Sequence, residues 1–212
     1  MKTLKPIGKK RARERLLQLL REFAFEQKPV LLSSGKESNF FIDCKKVTLR
    51  AEGHSLVGEV LLDELSRLPT CEAVAGVELG GCPLASAVVM SSYRSKPIDA
   101  IYVRKEAKEH GSKQMIEGGS HLEPNSPGVL FMSRMGDIEG GSHLEAHPSV
   151  VLLEDVVTTG GSTIKAAAEL WYAGFDVVGV IALVDRLEGG RQAIEKAGIP
   201  FLSVFTKDDF MV

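Results

Sequence analysis

The sequence predicts an α/β protein with a central, mainly parallel sheet that is flanked by helices. Short, almost purely apolar runs alternate along the chain with segments of helical periodicity, as expected for parallel strands that are buried on both faces. The predicted strands are 73–79, 99–103, 150–153, 176–185 and 199–206, and the predicted helices are 9–25, 51–68, 83–93, 164–174 and 187–198. In such a sheet, ligands bind beyond the carboxyl ends of the strands.

The composition is that of an ordinary globular domain. The chain has 212 residues, of which 44% are hydrophobic and 25% are charged, and its formal net charge is −2. A charge so close to neutral argues against nucleic acid as the main partner. The cysteines form no CxxC pair, so neither a disulfide framework nor a zinc site is indicated. No apolar run approaches the ~20 residues that a membrane helix needs and no signal peptide is recognisable, so we expect a cytoplasmic protein.

The segment 150–163, VVLLEDVVTTGGST, has the most specific pattern in the chain. An apolar strand is followed by two acids, then by a loop of small residues that leads into a helix. The glycines let the backbone approach a phosphate, while the helix N-terminus and the hydroxyl groups favour an anion. The acids suit the vicinal hydroxyls of a ribose, because a carboxylate only accepts hydrogen bonds. We therefore predict a ribose 5-phosphate site formed by Glu154, Asp155, Val156, Val157, Thr158, Thr159, Gly160, Gly161 and Ser162.

This segment resembles the phosphoribosyl-pyrophosphate-binding motif of the type I phosphoribosyltransferases. The plain alternative is a loop of small residues beside two surface acids, and a Walker loop is excluded because the GxxxxGK[ST] spacing is absent. The resemblance implies the type I phosphoribosyltransferase fold and a magnesium ion. Because Mg²⁺ retains water and binds phosphate oxygens, no direct protein ligand to the metal is predicted.

Residues 30–49 contain two β-rich runs around the turn 34–38, which indicates a hairpin. They resemble the N-terminal hood of the orotate phosphoribosyltransferases. The resemblance implies that Lys36 reaches the pyrophosphate or the base, and that Phe40 and Phe41 cover the base. A Phe pair on a strand is also typical of a core, and a lysine in a turn is commonly solvated. We predict a helix and hood over 1–49 and the transferase core over 50–212.

A second strand, glycine loop and helix contain Glu78, Leu79, Gly80 and Gly81, which correspond to the pyrophosphate loop of the family. One common version of that loop has a Tyr-Lys pair where this chain has Leu79-Gly80. We therefore expect that one cationic contact is missing and that backbone N–H groups bind the pyrophosphate instead.

The segment 104–111 reads RKEAKEHG and matches the mobile catalytic loop of the orotate phosphoribosyltransferases. The resemblance implies that this loop closes over a neighbouring subunit's site in a homodimer. The residues that would neutralise the departing pyrophosphate are Arg104, Lys105, Lys108 and His110. The alternative is an ordinary charged surface loop.

An arginine follows the strand 176–185, and in the family an arginine at this position recognises orotate. The resemblance therefore assigns Arg186 to orotate, together with Thr158 and the hood residues. The alternative is a surface arginine that pairs with Asp185 or Glu188.

The octapeptide IEGGSHLE occurs twice, at 116–123 and at 138–145. Two copies are too few for a repeat architecture, so we interpret 114–148 as a duplicated insertion that is extended or partly disordered. Imidazole and carboxylate side chains, which can bind a metal ion, are present at His121, Glu123, His143 and Glu145. Flexible, glycine-flanked copies need not converge, so we do not predict a metal site there.

The resemblance to the orotate phosphoribosyltransferases covers 16–205 apart from the insertion. It implies that orotate and phosphoribosyl pyrophosphate give orotidine 5′-phosphate and pyrophosphate in pyrimidine synthesis, with no covalent nucleophile. A type I transferase for a purine base shares the ribose-phosphate motif and is the first alternative. The second is a ligand-sensing regulator that kept the fold and lost the chemistry. The hood, the cationic loop and Arg186 favour orotate over both.

Overall fold

The computed structural model describes residues 8–31, 37–106, 115–122 and 147–211. The helices are α1 (Lys9–Leu19), α2 (Lys45–Thr48), α3 (Ala51–Leu65), α4 (Gly81–Ser92), α5 (Gly161–Tyr172) and α6 (Gly190–Lys196). The strands are β1 (Phe25–Glu26), β2 (Val30–Leu31), β3 (Glu37–Ser38), β4 (Phe41–Ile42), β5 (Ala73–Val77), β6 (Asp99–Val103), β7 (Ile116–Glu117), β8 (Ser149–Val157), β9 (Asp176–Asp185) and β10 (Phe201–Thr206). A π-helical turn, Leu20–Ala24, extends α1, and 3₁₀ turns cover Ser120–Leu122 and Lys207–Phe210.

The central sheet has six strands in the order β10-β9-β8-β5-β6-β7. Neighbouring strands are parallel except β7, which pairs antiparallel with β6 at the edge. The chain proceeds outward from β5 to β6 and then returns to β8 on the other side of β5. The strand order therefore reverses between β5 and β8, and a ligand is expected beyond their carboxyl ends. This architecture confirms the predicted α/β class.

Helices cover both faces of the sheet, which explains why its strands are apolar without alternation. In β8, Val151 and Leu153 pack in a core with α1, α3 and α4, whereas Val150 and Leu152 pack in a second core with α5 and α6. Since successive side chains of a strand point to opposite faces, every position of this run is buried. None of the helices in the described ranges combines the length and hydropathy needed to cross a membrane.

Several predicted boundaries differ from those of the structure, and two of these differences concern the site and the hood. The strand predicted at 150–153 continues to Val157, because β8 pairs with β9 as far as Val157 opposite Asp185. The two acids therefore lie within a strand and not after it. The second β-rich run of the hood stops at Ile42, and Lys45–Thr48 forms a short helix.

The hood is built from two small antiparallel pairs, β2 with β3 and β1 with β4. The predicted hairpin is present as the pairing of β2 with β3, but Glu37 and Ser38, which were predicted to lie in its turn, belong to strand β3. Residues 32–36 lie outside the described part of the chain. The ring of Phe40 lies 5.1 Å from that of Phe25 and 5.6 Å from that of Phe210. Phe210 belongs to the C-terminal 3₁₀ turn, so the end of the chain holds the hood on the core.

The first copy of IEGGSHLE forms the edge of the sheet. Ile116 pairs with Val103, and Glu117 pairs with Tyr102. Gly118 and Gly119 have φ angles of 88° and 74°, which only glycine adopts without strain. The second copy lies outside the described residues.

Deletion of 116–137 joins Met115 directly to the second copy, which is identical over eight residues. We expect the shortened protein to fold and to keep its activity, because the same side chains then pair with β6. The unfolding midpoint should stay within about 4 °C of the original value, which corresponds to ~1 kcal/mol for a domain of this size. A matched control has the same deletion with the two glycines of the remaining copy changed to alanine, and it should be clearly less stable. Loss of folding in both variants would mean that the copies are not equivalent.

Candidate active site

The carboxyl ends of β5 and β8 bring two glycine-containing loops together. A Cβ atom on Gly80 would lie 2.1 Å from the carboxyl carbon of Asp155, and one on Gly81 would lie 2.4 Å from the carbonyl oxygen of Leu153. Both distances are far below van der Waals contact, so the loop after β5 lies directly against the end of β8. The two loops singled out in the sequence therefore form one site.

Helix α5 begins at this site with its backbone amides uncapped. Gly160, which precedes the helix, has a φ of 80°, and no side-chain hydrogen bond caps the helix. A Cβ on Gly161 would meet nothing within 4 Å. The first turn of α5 is thus open to a ligand, and its N–H groups together with the helix dipole favour an anion.

Glu154 is buried beneath this turn. Its side chain accepts hydrogen bonds from the hydroxyl groups of Thr163, at 3.0 Å, and Ser162, at 3.4 Å. Burial raises the pKa of Glu154 to about 7, and the adjacent Asp155 adds to this effect, whereas the Thr163 hydroxyl and the charge of Lys105 oppose it. Glu154 therefore changes its protonation state near neutral pH.

Substitution Glu154→Gln tests this buried carboxyl group. The pKa is raised from 4.5 to about 7 on folding, so the folded protein retains a proton that the unfolded chain loses. Stability from this group is thus present below pH 4.5 and lost as the pH rises to about 7. The variant lacks the titration, so its unfolding free energy relative to wild type should rise by about 3 kcal/mol between pH 4.5 and pH 8. Urea unfolding of both proteins at several pH values measures the difference, and a difference independent of pH would contradict the assignment.

Asp155 lies at the contact between the two loops. Burial raises its pKa, while the positive charge of Lys45 and the backbone N–H of Val156, 3.0 Å from Oδ1, oppose the increase. Its backbone carbonyl oxygen lies 3.8 Å from Sγ of Cys44. The end of β8 is therefore in contact with the start of α2.

The first two cations of the predicted catalytic loop lie beside this edge. Nε of Arg104 donates a hydrogen bond of 3.0 Å to Glu117, and the backbone N–H of Lys105 donates one of 3.3 Å to Glu78. Both residues line a cleft of about 230 Å³ that also includes Ser162. Lys108 and His110 lie outside the described residues.

Arg186 connects this edge to the hood. It donates hydrogen bonds of 3.1 Å to Oγ of Ser38 and to the carbonyl oxygen of Phe40, and it pairs with Glu188 at 3.0 Å. Its Nε is buried without a hydrogen-bond partner among the described residues. The pairing with Glu188 named in the alternative interpretation is present, but the arginine is buried and not on the surface.

The aromatic pair of the hood is divided between two environments. The ring of Phe40 is completely buried in the aromatic cluster of the core, so we withdraw the prediction that it covers a base. Phe41 is half-buried, and Nζ of Lys28 lies 4.1 Å from the centre of its ring. Lys36 lies outside the described residues.

The sequence interpretation missed Lys45. Lys45 lies on α2 and lines a cleft of about 300 Å³ together with Leu79 of the second loop and Cys82 of α4. Two adjacent lysines after the hood strand were the available signal, but a sequence does not show which of them faces the site.

Comparison with known proteins places these features in a family. No family profile matches the chain. The orotate phosphoribosyltransferase of Sorangium cellulosum is 54% identical over 200 residues, which cover 94% of this chain and 93% of that protein. The orotate phosphoribosyltransferase of a Synechocystis species is 42% identical over 93% of this chain and 87% of its own length. The crystal structure of Mycobacterium tuberculosis orotate phosphoribosyltransferase in complex with phosphoribosyl pyrophosphate has a TM-score of 0.69 at 30% identity, covering 95% of this chain and 99% of that chain. Identity at this level over nearly the whole of both chains shows that this protein belongs to the orotate phosphoribosyltransferase family.

Proposed function

We infer that this edge of the sheet carries out the family's reaction. The chain is an enzyme that transfers the 5-phosphoribosyl group from phosphoribosyl pyrophosphate to orotate, giving orotidine 5′-phosphate and pyrophosphate in pyrimidine synthesis. The contact of Gly80 with Asp155 is the observation that carries this inference. It joins a loop suited to a ribose 5-phosphate to a loop suited to pyrophosphate, and phosphoribosyl pyrophosphate contains both groups.

The ribose 5-phosphate is assigned to the loop 158–160 and the first turn of α5. Uncapped N–H groups supply donors to the phosphate, and the hydroxyl of Ser162 becomes a further donor when it turns from Glu154, 3.4 Å away, to the ligand. Glu154 and Asp155 accept hydrogen bonds from the ribose hydroxyls. Their burial keeps water from competing for these bonds.

The pyrophosphate is assigned to the loop 78–81 and to the four cations of the segment 104–111. The ring nitrogen of orotate attacks the anomeric carbon while pyrophosphate leaves, and positive charge develops on the ribose. The protein therefore has to hold both substrates in line, stabilise the leaving anion and exclude water. Closure of the segment 104–111, with Lys108 and His110, would supply the last two requirements.

Orotate is assigned to the space beside Arg186, where the hood meets the ends of β8 and β9. A guanidinium group suits a planar carboxylate, and the unpartnered Nε of Arg186 offers one more donor. Thr158, Phe41 and Lys36 complete the proposed base site.

Magnesium is proposed to arrive with the substrate. Glu154 and Asp155 offer carboxylate oxygens, the ligand type that Mg²⁺ prefers, while the described residues contain no group of three or more metal-binding side chains. This donor set fits an ion that is held mainly by phosphate oxygens and water. When bound, the ion would neutralise charge on the pyrophosphate.

A homodimer is also proposed, in which the segment 104–111 closes over the neighbouring subunit's site. Large apolar side chains are exposed on and next to α4: Leu79 by 62%, Met90 by 73% and Tyr93 by 74%. Exposed apolar groups favour an interface. Sedimentation equilibrium should give twice the chain mass, and the mass of a single chain would contradict the proposal. A cytoplasmic location and the lack of nucleic-acid or membrane partners stay predictions.

The function is tested by following the ultraviolet absorbance of orotate with phosphoribosyl pyrophosphate and magnesium. Adenine, hypoxanthine and uracil are measured in parallel. We expect orotate to be consumed only when all components are present. Turnover of a purine base instead would favour the first alternative. Tight binding of phosphoribosyl pyrophosphate without turnover of any base would favour a sensor.

A further inference from the structure

The pyrophosphate loop of this chain carries no positive charge of its own. Its sequence is Glu78-Leu79-Gly80-Gly81, and it lies against the buried carboxyl group of Asp155. A ligand with several negative charges would meet two acids here. A cation from another element is needed to offset them.

Lys45 lies opposite this loop, on the side of the hood. The residue before it, Cys44, contacts the backbone carbonyl of Asp155, and Lys45 itself lines one cleft with Leu79 and Cys82. Its ammonium group is 2.7 Å from Oδ1 of Asp43, and its side chain is 38% exposed. An ammonium has three N–H donors, so two remain for a ligand in the cleft. The charge of Lys45 also lowers the pKa of Asp155 against the effect of burial.

We propose that Lys45 supplies the cation that the pyrophosphate loop lacks and binds the pyrophosphate group of phosphoribosyl pyrophosphate. The proposal rests on the proposed function and adds one binding residue to it. The side chain reaches the loop from α2, whereas Lys105 approaches from the end of β6. The leaving group is thus held between two lysines from different elements.

Lys46 provides a matched control in the same helix. It is the same residue type one position later, but its ammonium group is 2.7 Å from Oε1 of Glu26 on the hood. Asp43→Asn is a second control, because it removes the ion pair with Lys45 and keeps an oxygen that accepts the backbone N–H of Lys45.

The experiment measures binding of inorganic pyrophosphate and of phosphoribosyl pyrophosphate, each with magnesium and without orotate, by titration calorimetry on the full chain. We expect Lys45→Met to weaken binding of both ligands by about tenfold to a hundredfold, the loss expected for one hydrogen bond from a charged donor. Lys46→Met should bind like wild type. Asp43→Asn should stay within about fivefold of wild type, because a partly exposed ion pair contributes little.

Steady-state kinetics supply the second readout. They include the variant Lys45→Arg, which keeps the positive charge. Lys45→Met should raise KM for phosphoribosyl pyrophosphate more than that for orotate, and Lys45→Arg should recover part of the loss. Equal weakening by Asp43→Asn and Lys45→Met, or unchanged binding in Lys45→Met, would overturn the proposal. Because pyrophosphate binding is measured without turnover, failure of wild type to consume orotate would contradict the proposed function and leave the result for Lys45 intact.

Discussion

Substitution Gly80→Ala is expected to lower kcat/KM for phosphoribosyl pyrophosphate by on the order of a hundredfold, the loss that follows displacement of site groups by about 1 Å. A methyl group at Gly80 would lie 2.1 Å from the carboxyl carbon of Asp155. Either the carboxyl group or the loop must move. Movement of either one displaces the carboxyl group that accepts the ribose hydroxyls relative to the loop that binds the pyrophosphate. Initial rates at varied phosphoribosyl pyrophosphate, with thermal unfolding of the same samples, measure the effect.

A double-mutant cycle with Asp155→Ala tests the physical cause. If the clash with this carboxyl group is responsible, Gly80→Ala should lower kcat/KM by a much smaller factor in the Asp155→Ala background than in wild type. An equal decrease of kcat/KM in both backgrounds would show that Gly80→Ala lowers activity for another reason. Gly8→Ala is a suitable control for the substitution itself, because a methyl group there meets nothing within 4 Å.

The central sheet could be predicted from the sequence because its signals are local. Strands β6 and β9 have their predicted bounds, since each is an apolar run between residues that favour turns. The end of β8 could not be predicted in the same way. Two adjacent acids resemble the end of a strand, but pairing with β9 extends the strand through them to Val157.

The site could be predicted as a set of segments, whereas the roles within it depend on contacts between distant parts of the chain. Phe40 is buried by Phe210, and Arg186 is held by Ser38. Residues so far apart in the sequence leave no local pattern. The same holds for Lys45, because its helix has no periodicity that would indicate which lysine faces Asp155.

Substitution Arg186→Met is expected to raise KM for orotate by on the order of a hundredfold or more, since two charge-assisted hydrogen bonds to the ligand would be lost. KM for phosphoribosyl pyrophosphate should change little, because Arg186 follows β9 whereas the predicted ribose-phosphate residues lie in the last part of β8 and in the loop and helix turn after it. Arg186→Lys should recover little of the affinity, since a single ammonium cannot replace the planar fork of a guanidinium. Separate titrations of the two substrates distinguish these outcomes.

The substitution at Arg186 also removes contacts within the protein. Glu188 loses an ion pair of 3.0 Å, and Ser38 and Phe40 lose hydrogen bonds that connect the hood to the core. The double variant Arg186→Met, Glu188→Gln removes the unpaired carboxylate and should recover stability but not orotate affinity. Recovery of affinity together with stability would mean that Arg186 only fastens the hood. Loss of affinity for both substrates in equal measure would likewise contradict the assignment of Arg186 to the orotate site.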